Sequence, residues 1–321
     1  VLLAELGPDL EDLADAAIGF VAGGKRLRPQ FCYAGWLVAG GDPDEPGIVR
    51  AAAALEWLQA SALVHDDLMD GSDTRRGRPS VHRAFEAKHR EESRHGDPVG
   101  FGTSAAVLLG DLLLSWCDEL FRSNGLPHTD EAFGFLDLCK TEVVAGQFLD
   151  VVGQTREALS VAEAMKVVRY KSAKYTVERP LHIGAALAGA GADLIAGLTD
   201  VALPLGEAFQ LRDDVLGVFG DPELTGKPAG DDLREGKRTV LVARAAELTD
   251  EAGRTLLRTS LGTSDGVDAV RDLIRTCGAL AAVEDDIARL EASADEAIDR
   301  LGAGARDVLG PLALTATRRT R

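Results

Sequence analysis

The sequence predicts an all-α protein, a single large helical bundle with residues 1–321 forming one domain. Three observations carry that expectation. Apolar residues recur at helical spacing along almost the whole chain, while the alternation of a half-buried strand is almost absent. Aromatic residues make up only 5% of the composition, and Ala and Leu, both strong helix formers, dominate the periodic segments. Segments 104–117 and 184–198 are apolar over most of a helical circumference, which suits helices inside a bundle rather than on its surface. A length of 321 residues gives a prior of about two domains, but no low-complexity linker or convincing repeat divides the chain.

The elements follow from this periodicity and its punctuation. A helix over 9–21 ends at Gly23-Gly24, and one over 25–40 ends at Gly40-Gly41-Asp42-Pro43. Helices follow over 45–70 and 98–122, the second stopped by Asn124-Gly125. Beyond 130–153, Pro180 is expected to kink or break an otherwise helical run, read as 160–178 and 180–190. Gly191 separates that run from 193–220, and Asp221-Pro222 to Gly230 separates 193–220 from 231–248. Helices over 265–276 and 279–300 complete the set. Residues 250–321 carry no motif and read only as further helices.

Composition narrows the function. Asp and Glu number 52 against 35 Lys and Arg, a formal net charge of −17. That argues against nucleic acid as a partner, because such binding is driven by cationic side chains releasing counterions. Cys32, Cys117, Cys139 and Cys277 lie far apart, with no CxxC pair and no zinc spacing, so a reduced cytoplasmic protein is expected. No uninterrupted apolar run reaches the roughly 18 residues needed to cross a bilayer, so no integral membrane segment is expected. The chain opens Val-Leu-Leu without a methionine, and a short N-terminal piece is expected ahead of it.

Chemistry enters at Leu63-Val64-His65-Asp66-Asp67-Leu68-Met69-Asp70. On a helix Asp66 and Asp70 share a face one turn apart, with Asp67 rotated by one step. Carboxylates crowded at the end of an apolar helix repel one another unless a cation joins them, and Mg²⁺ suits such oxygen ligands together with substrate phosphates. A solvated acidic helix end is the bland alternative. Phe209-Gln210-Leu211-Arg212-Asp213-Asp214-Val215-Leu216-Gly217 repeats the pattern with glycine one turn beyond Asp213, so one weaker metal site is expected there.

Cations flank both acidic pairs. Gly23-Gly24-Lys25-Arg26-Leu27-Arg28-Pro29 sets a glycine turn before three cations at a helix start, where backbone donors and the helix dipole favour an anion. Arg75-Arg76-Gly77-Arg78, Lys171-Ser172-Ala173-Lys174, Gly226-Lys227-Pro228 and Gly236-Lys237-Arg238-Thr239 are further clusters. Any one could be a solvated basic loop. Jointly, in an acidic protein, they imply a small polyanion: a diphosphate bridged by Mg²⁺.

These motifs, with Gly146-Gln147, stand in an order and spacing that closely resemble the trans-isoprenyl diphosphate synthases, or polyprenyl synthetases, from about residue 23 to 242. The resemblance implies the isoprenoid synthase type of bundle around a central apolar cavity. It also implies a Mg²⁺-dependent transferase that condenses an allylic diphosphate with isopentenyl diphosphate, acting as a homodimer. Asp66 and Asp70 would bind two Mg²⁺ with Asp67 in support, and Asp213 the third. Arg75, Lys171 and Lys227, joined by Lys237, would contact the allylic diphosphate; Lys25, Arg28 and Arg76 would hold isopentenyl diphosphate. Gln147 and Gln210 would line the ionisation site, and Ser172 stands where the family usually has threonine. His65 and His82 read as structural residues. Two departures stand out: Gln59 where the family often has histidine, and Gly217 in place of the usual final aspartate. Activity is expected to survive both.

Bulk upstream of the first acidic motif resembles a floor for the growing chain. Ser61 and Ala62 are small, and Leu58 beside Trp57 forms the next bulky layer, so geranylgeranyl diphosphate (C20) is the expected product and longer polyprenyl chains the second choice. Trp57 on its own reads as plain core. A class I terpene cyclase would not need the cations at 23–29 or Lys237. A non-catalytic subunit of a heteromeric synthase, the other open reading, tends to lose the first acidic motif, which is intact here.

Overall fold

Helix-forming composition yields helices almost throughout the computed structural model, in which residues 2–7, 10–220 and 229–317 are described. Contacts divide the chain into two compact units, residues 1–29 with 46–125, and 30–45 with 126–321.

In the first unit, α1 (Leu2–Glu5) and α2 (Glu11–Val21) precede α4 (Pro46–Met69), a β-hairpin, α5 (Val81–Glu91) and α6 (Pro98–Arg122). The start of α6 is fixed by Pro98 and by the Asp97 side chain, which accepts from the Val99 and Gly100 amides at 3.2 and 2.9 Å. It packs along α4 and α5, and Ala60, Val64, Ala106, Leu109 and Leu113 form the centre of the core there. Helix α5 carries so few apolar residues that periodicity alone does not reveal it. Its narrow stripe nevertheless buries Val81, His82 and His89.

The hairpin was not visible in the sequence either. Thr74–Arg75 (β1) pairs antiparallel with Arg78–Pro79 (β2). Arg76 and Gly77 make its turn, both with positive φ (53° and 73°), as a tight two-residue hairpin requires.

The second unit begins with most of α3 (Leu27–Val38) and continues with α7 (Thr129–Gln154) and α8 (Val161–Val167), the latter opened by a Ser160–Glu163 capping box. Of the kink or break expected at Pro180, the break does not occur. Residues Val168–Glu178 form a π-helical stretch that runs straight into α9 (Arg179–Leu187), leaving Pro180 in the first turn of α9, where its missing N–H costs least.

Next come α10 (Ala192–Phe219) and a one-turn helix α11 (Asp231–Arg234). The helix expected over 231–248 is two pieces. The left-handed Gly236 (φ 75°) ends the first, and the Thr239 hydroxyl caps the restart at α12 (Val240–Leu248). Helices α13 (Glu251–Ser260), α14 (Val267–Thr276), α15 (Ala279–Leu301) and α16 (Ala303–Thr317) complete the unit, α13 and α16 having been expected only as unspecified helix. The core there joins Leu211, Val215 and Val218 of α10 to Leu241, Val270, Val283 and Ile287.

Helices α6 and α10 are long and apolar enough to cross a membrane by length and composition, although no single uninterrupted apolar run is. A third of the most apolar window of α6 and half that of α10 are buried within the protein.

Candidate active site

In the first unit the carboxylates divide their work. Asp66 and Asp70 are half-buried one turn apart, the Asp70 amide donating to the Asp66 carbonyl at 2.8 Å. Asp67 is fully buried and receives Arg75, whose Nε donates to Oδ1 at 2.8 Å and whose Nη2 pairs with the same oxygen. Asp67 is therefore the anchor of Arg75, while Asp66 and Asp70 are only half-buried.

The same hairpin delivers Arg76. Its guanidinium lies over the Gly23-Gly24 turn, 3.0 Å from where a Cβ on Gly24 would stand, and Nη1 donates to the Phe20 carbonyl at 3.2 Å. Arg76 thus joins the glycine turn that leads to exposed Lys25 and half-buried Arg28. Arg26, also at positive φ (54°), pairs instead with Glu56 and the Val21 carbonyl and serves to fix the turn. Arg75, Arg76 and Arg78 line one cavity of about 370 Å³ with Gly19, Phe20 and Gly23.

The upstream residues of α4 differ in exposure. Leu58 and Ser61 are buried, whereas Gln59 and Ala62 are half-open. Trp57 stacks edge-on against Trp116 at 5.5 Å and packs on the core. His65 lies against Gly110 with Nε2 3.3 Å from the Val107 carbonyl, and His82 Nδ1 lies 3.2 Å from the Ser80 hydroxyl. Burial above all, with Arg83 beside it, holds His82 below the usual histidine range. Both histidines have structural partners.

In the second unit the π-helical stretch displays Lys171 and half-buried Ser172. A Cβ on Gly146 would overlap the Lys171 backbone, 2.7 Å from its Cα, and one on Gly206 would lie 2.6 Å from the Ala173 Cα. Glycines on α7 and α10 let the stretch sit close between them, beside Gln147. Lys171 Nζ reaches Asp150 at 2.7 Å. Lys174 is nearly buried between Glu142 (3.0 Å) and Glu178 (2.9 Å), which makes it part of the frame.

At the end of α10 Gln210 Nε2 donates to Asp214 Oδ1 at 2.8 Å. Asp214 is buried and pushed up to about 8, by burial first and then by the nearby charge of Asp232, with Asp213 adding to it. Asp213 is half-buried beside it. Lys237 Nζ lies 2.7 Å from Glu235 and 3.3 Å from Asp232. Lys227 and the rest of 221–228 lie outside the described residues. The sequence reading missed Asp150, Asp232 and Glu235. For Asp232 the signal was present in the acidic pair Asp231-Asp232 between Gly230 and Lys237.

Among the described residues no three His, Cys, Asp or Glu side chains form a ready cation cage. Magnesium needs none, since it takes one or two carboxylates and completes its octahedron with water and substrate phosphate. Asp66 and Asp70, half-buried one turn apart, and Asp213, half-buried beside Asp214, are oxygen donors of that kind.

The family model for polyprenyl synthetases matches residues 11–277. The chain belongs to the polyprenyl synthetase family. It is 34% identical over 267 residues to a geranylfarnesyl diphosphate synthase of Aeropyrum pernix, covering 81% of this chain and 78% of that protein. A geranylgeranyl diphosphate synthase of Saccharolobus solfataricus is 33% identical over 255 residues, or 77% and 70% of the two chains. Among solved structures, a geranylgeranyl pyrophosphate synthase of Corynebacterium glutamicum complexed with isoprenyl diphosphate and magnesium superposes with a TM-score of 0.94 at 41% identity, covering 99% and 93%. The helical polyprenyl synthetase fold expected from the motifs is thus the fold observed.

Proposed function

We propose that this polyprenyl synthetase joins an allylic diphosphate to isopentenyl diphosphate in the presence of Mg²⁺, with geranylgeranyl diphosphate as product. The observation that carries the reading is the hairpin of the first unit. It gives Arg75 to the acidic helix end and Arg76 to the Gly23-Gly24 turn, one guanidinium for each of two anions.

The C1–O bond of the allylic substrate breaks and its electron pair stays on the diphosphate. Arg75 and Lys171 lower the cost of that developing charge, with Lys237 and Lys227 in the same role. Arg76, Lys25 and Arg28 hold isopentenyl diphosphate so that its double bond attacks C1 of the allylic cation. The proton then lost from the new chain restores a double bond and passes to the released diphosphate. Magnesium, when bound, draws charge from the diphosphate oxygens. Asp66 and Asp70 would hold two ions and Asp213 a third. Gln147 and Gln210 offer amide oxygens toward the cation. Val144 and Val151, open rather than packed on either side of Gln147, suit the wall of an apolar cavity that keeps water from the cation.

Residues 1–321 are proposed to act as one catalytic domain, because neither unit carries both acidic pairs. A homodimer is proposed on the exposed Val107 and Leu108 of α6, and a reducing, cytoplasmic setting on four free cysteines. The C20 product rests on small Ala62 and Ser61 above Leu58.

The test is incubation of the purified chain with Mg²⁺, labelled isopentenyl diphosphate and each of the C5, C10 and C15 allylic diphosphates, with products sized after dephosphorylation. A single C20 product is expected. Longer products would move the floor, and no turnover with any primer would favour the non-catalytic subunit.

A further inference from the structure

The basic cluster at 236–239 divides its cations. Lys237 goes to Glu235 and Asp232, at 2.7 and 3.3 Å. Arg238, the next residue, has no hydrogen-bond or ion-pair partner among the described residues, although its Nε is buried. Burial alone acts on its guanidinium and holds it below the usual arginine range, with no carboxylate opposing. A buried nitrogen with no acceptor gives up its hydration and recovers nothing for it. The prenyl-transfer chemistry above makes no use of Arg238.

Arg238 lines a cavity of about 150 Å³ bounded by the segment between α7 and α8, by α12 and by α13. Arg254 and Arg258 of α13 line it too, and buried Leu159, Val242 and Leu257 give it an apolar wall. Glu251 holds both α13 arginines: Arg254 Nε donates to one oxygen at 3.0 Å and Arg258 Nη2 to the other at 3.1 Å. Glu157, the acid on the cavity lining, is exposed and 3.5 Å from Arg258. Three guanidiniums against Glu157 and Glu251 leave the cavity cationic in a chain whose net charge is −17. Its volume is roughly that which takes one benzene ring. A single phosphoryl group enters such a space, whereas a diphosphate with its prenyl chain does not. One guanidinium fork satisfies a planar carboxylate, so guanidiniums arriving from two segments suit the several oxygens of a phosphoryl group better.

We propose that this cavity is a separate anion site that takes one phosphoryl group, from inorganic phosphate or from a small phosphate monoester, with Arg238 as its principal donor. The site stands whether or not the chain performs prenyl transfer.

The test is isothermal titration calorimetry of the full-length chain in metal-free, phosphate-free buffer, with inorganic phosphate and with phenyl phosphate. Arg238→Met, which keeps an apolar stem and removes the charge, should weaken binding of both by about tenfold or more. Arg238→Lys keeps the charge but loses the fork, and should fall between the two. Arg76→Gln, at the Gly23-Gly24 turn, should leave the affinity within about twofold of wild type. Phenyl phosphate binding more tightly than inorganic phosphate assigns the site to a monoester whose hydrocarbon part covers the apolar wall; equal affinity assigns it to free phosphate. Melting curves separate binding from folding. Without anion, Arg238→Met should melt no lower than wild type, since it removes a buried charge that has no partner. Phosphate should raise the melting temperature of wild type but not of that variant. If the variant melts lower without anion, the guanidinium is a structural group. If its binding is unchanged, or Arg76→Gln abolishes binding instead, the phosphate sits elsewhere. Any of these results, or no binding of either anion to wild type, overturns the inference.

Discussion

At the end of α4, three aspartates come from one stretch of five residues, and a hairpin a few residues on supplies the guanidinium that buries with one of them. At the end of α10, two adjacent aspartates meet a third from eighteen residues after the second, and a glutamine holds the buried one. The first end is written in contiguous sequence. The second is assembled by a loop. Acidic side chains can therefore gather at two sites whose sequence motifs look unequal.

The largest expected effect tests whether the half-buried carboxylates differ from the buried one. Asp66→Ala should lower kcat on the order of a thousandfold with a smaller change in melting temperature than Asp67→Ala, because Asp66 is half-buried and is the proposed ligand. Asp67→Ala should do the reverse in kind. Removing the buried partner of Arg75 should cost about 3 kcal/mol of stability, read by urea unfolding. Equal stability losses in the two variants would erase the distinction between ligand and anchor.

Helix identity and the order of the chemical motifs were legible in the sequence because both depend on local spacing. What was not legible depends on which side chain meets which. Arg75 reads as a diphosphate contact in the string Arg75-Arg76-Gly77-Arg78, and its pairing with Asp67 shows only once the Arg-Gly turn folds back. Pro180 reads as a break, yet the change from π to α bonding at Arg179 absorbs it. Asp232 was passed over because its target is a glycine, which has no side chain to announce a contact.

The frame of the second unit adds a pH dependence of the same kind as that of His82 in the first. His182 is buried; Arg179 donates to its Nδ1 at 3.1 Å, so Nε2 carries the hydrogen and donates to the Thr199 hydroxyl at 3.0 Å. Burial, then Arg179 and Lys174, push it down to about 3, against a small opposing pull from Glu142. Between about 6.5 and 3 the unfolded chain binds a proton that the folded chain does not, so this contribution is complete above 6.5 and lost as pH falls. Going from pH 7 to pH 5 should cost about 2 kcal/mol, and His182→Gln should flatten that slope. An unchanged slope in the variant would assign the acid sensitivity elsewhere.

Gly146→Ala should cost about 1 to 3 kcal/mol, since the added methyl meets the Lys171 backbone, which cannot swing aside as a side chain could. Gly134→Ala on the same helix, with nothing within 4 Å of the new carbon, should be neutral or slightly stabilising. A neutral Gly146→Ala would mean that the π-helical stretch can shift, and Lys171 with it.

The smallest energetic effect is the most informative about product. Ala62 is half-open one turn before Asp66, whereas Ser61 is buried in the packing of its own unit. A phenylalanine at 62 enters the open side of α4 and should shorten the product by one isoprene unit with little change in melting temperature. At 61 the same ring must displace buried neighbours, so Ser61→Phe should shorten the product and lower the melting temperature together. Sizing the products of both variants beside their melting curves separates a wall of the cavity from a distortion of the helix that carries it. If Ala62→Phe keeps the wild-type product, the floor lies on another helix, and α4 contributes its carboxylates without measuring the chain.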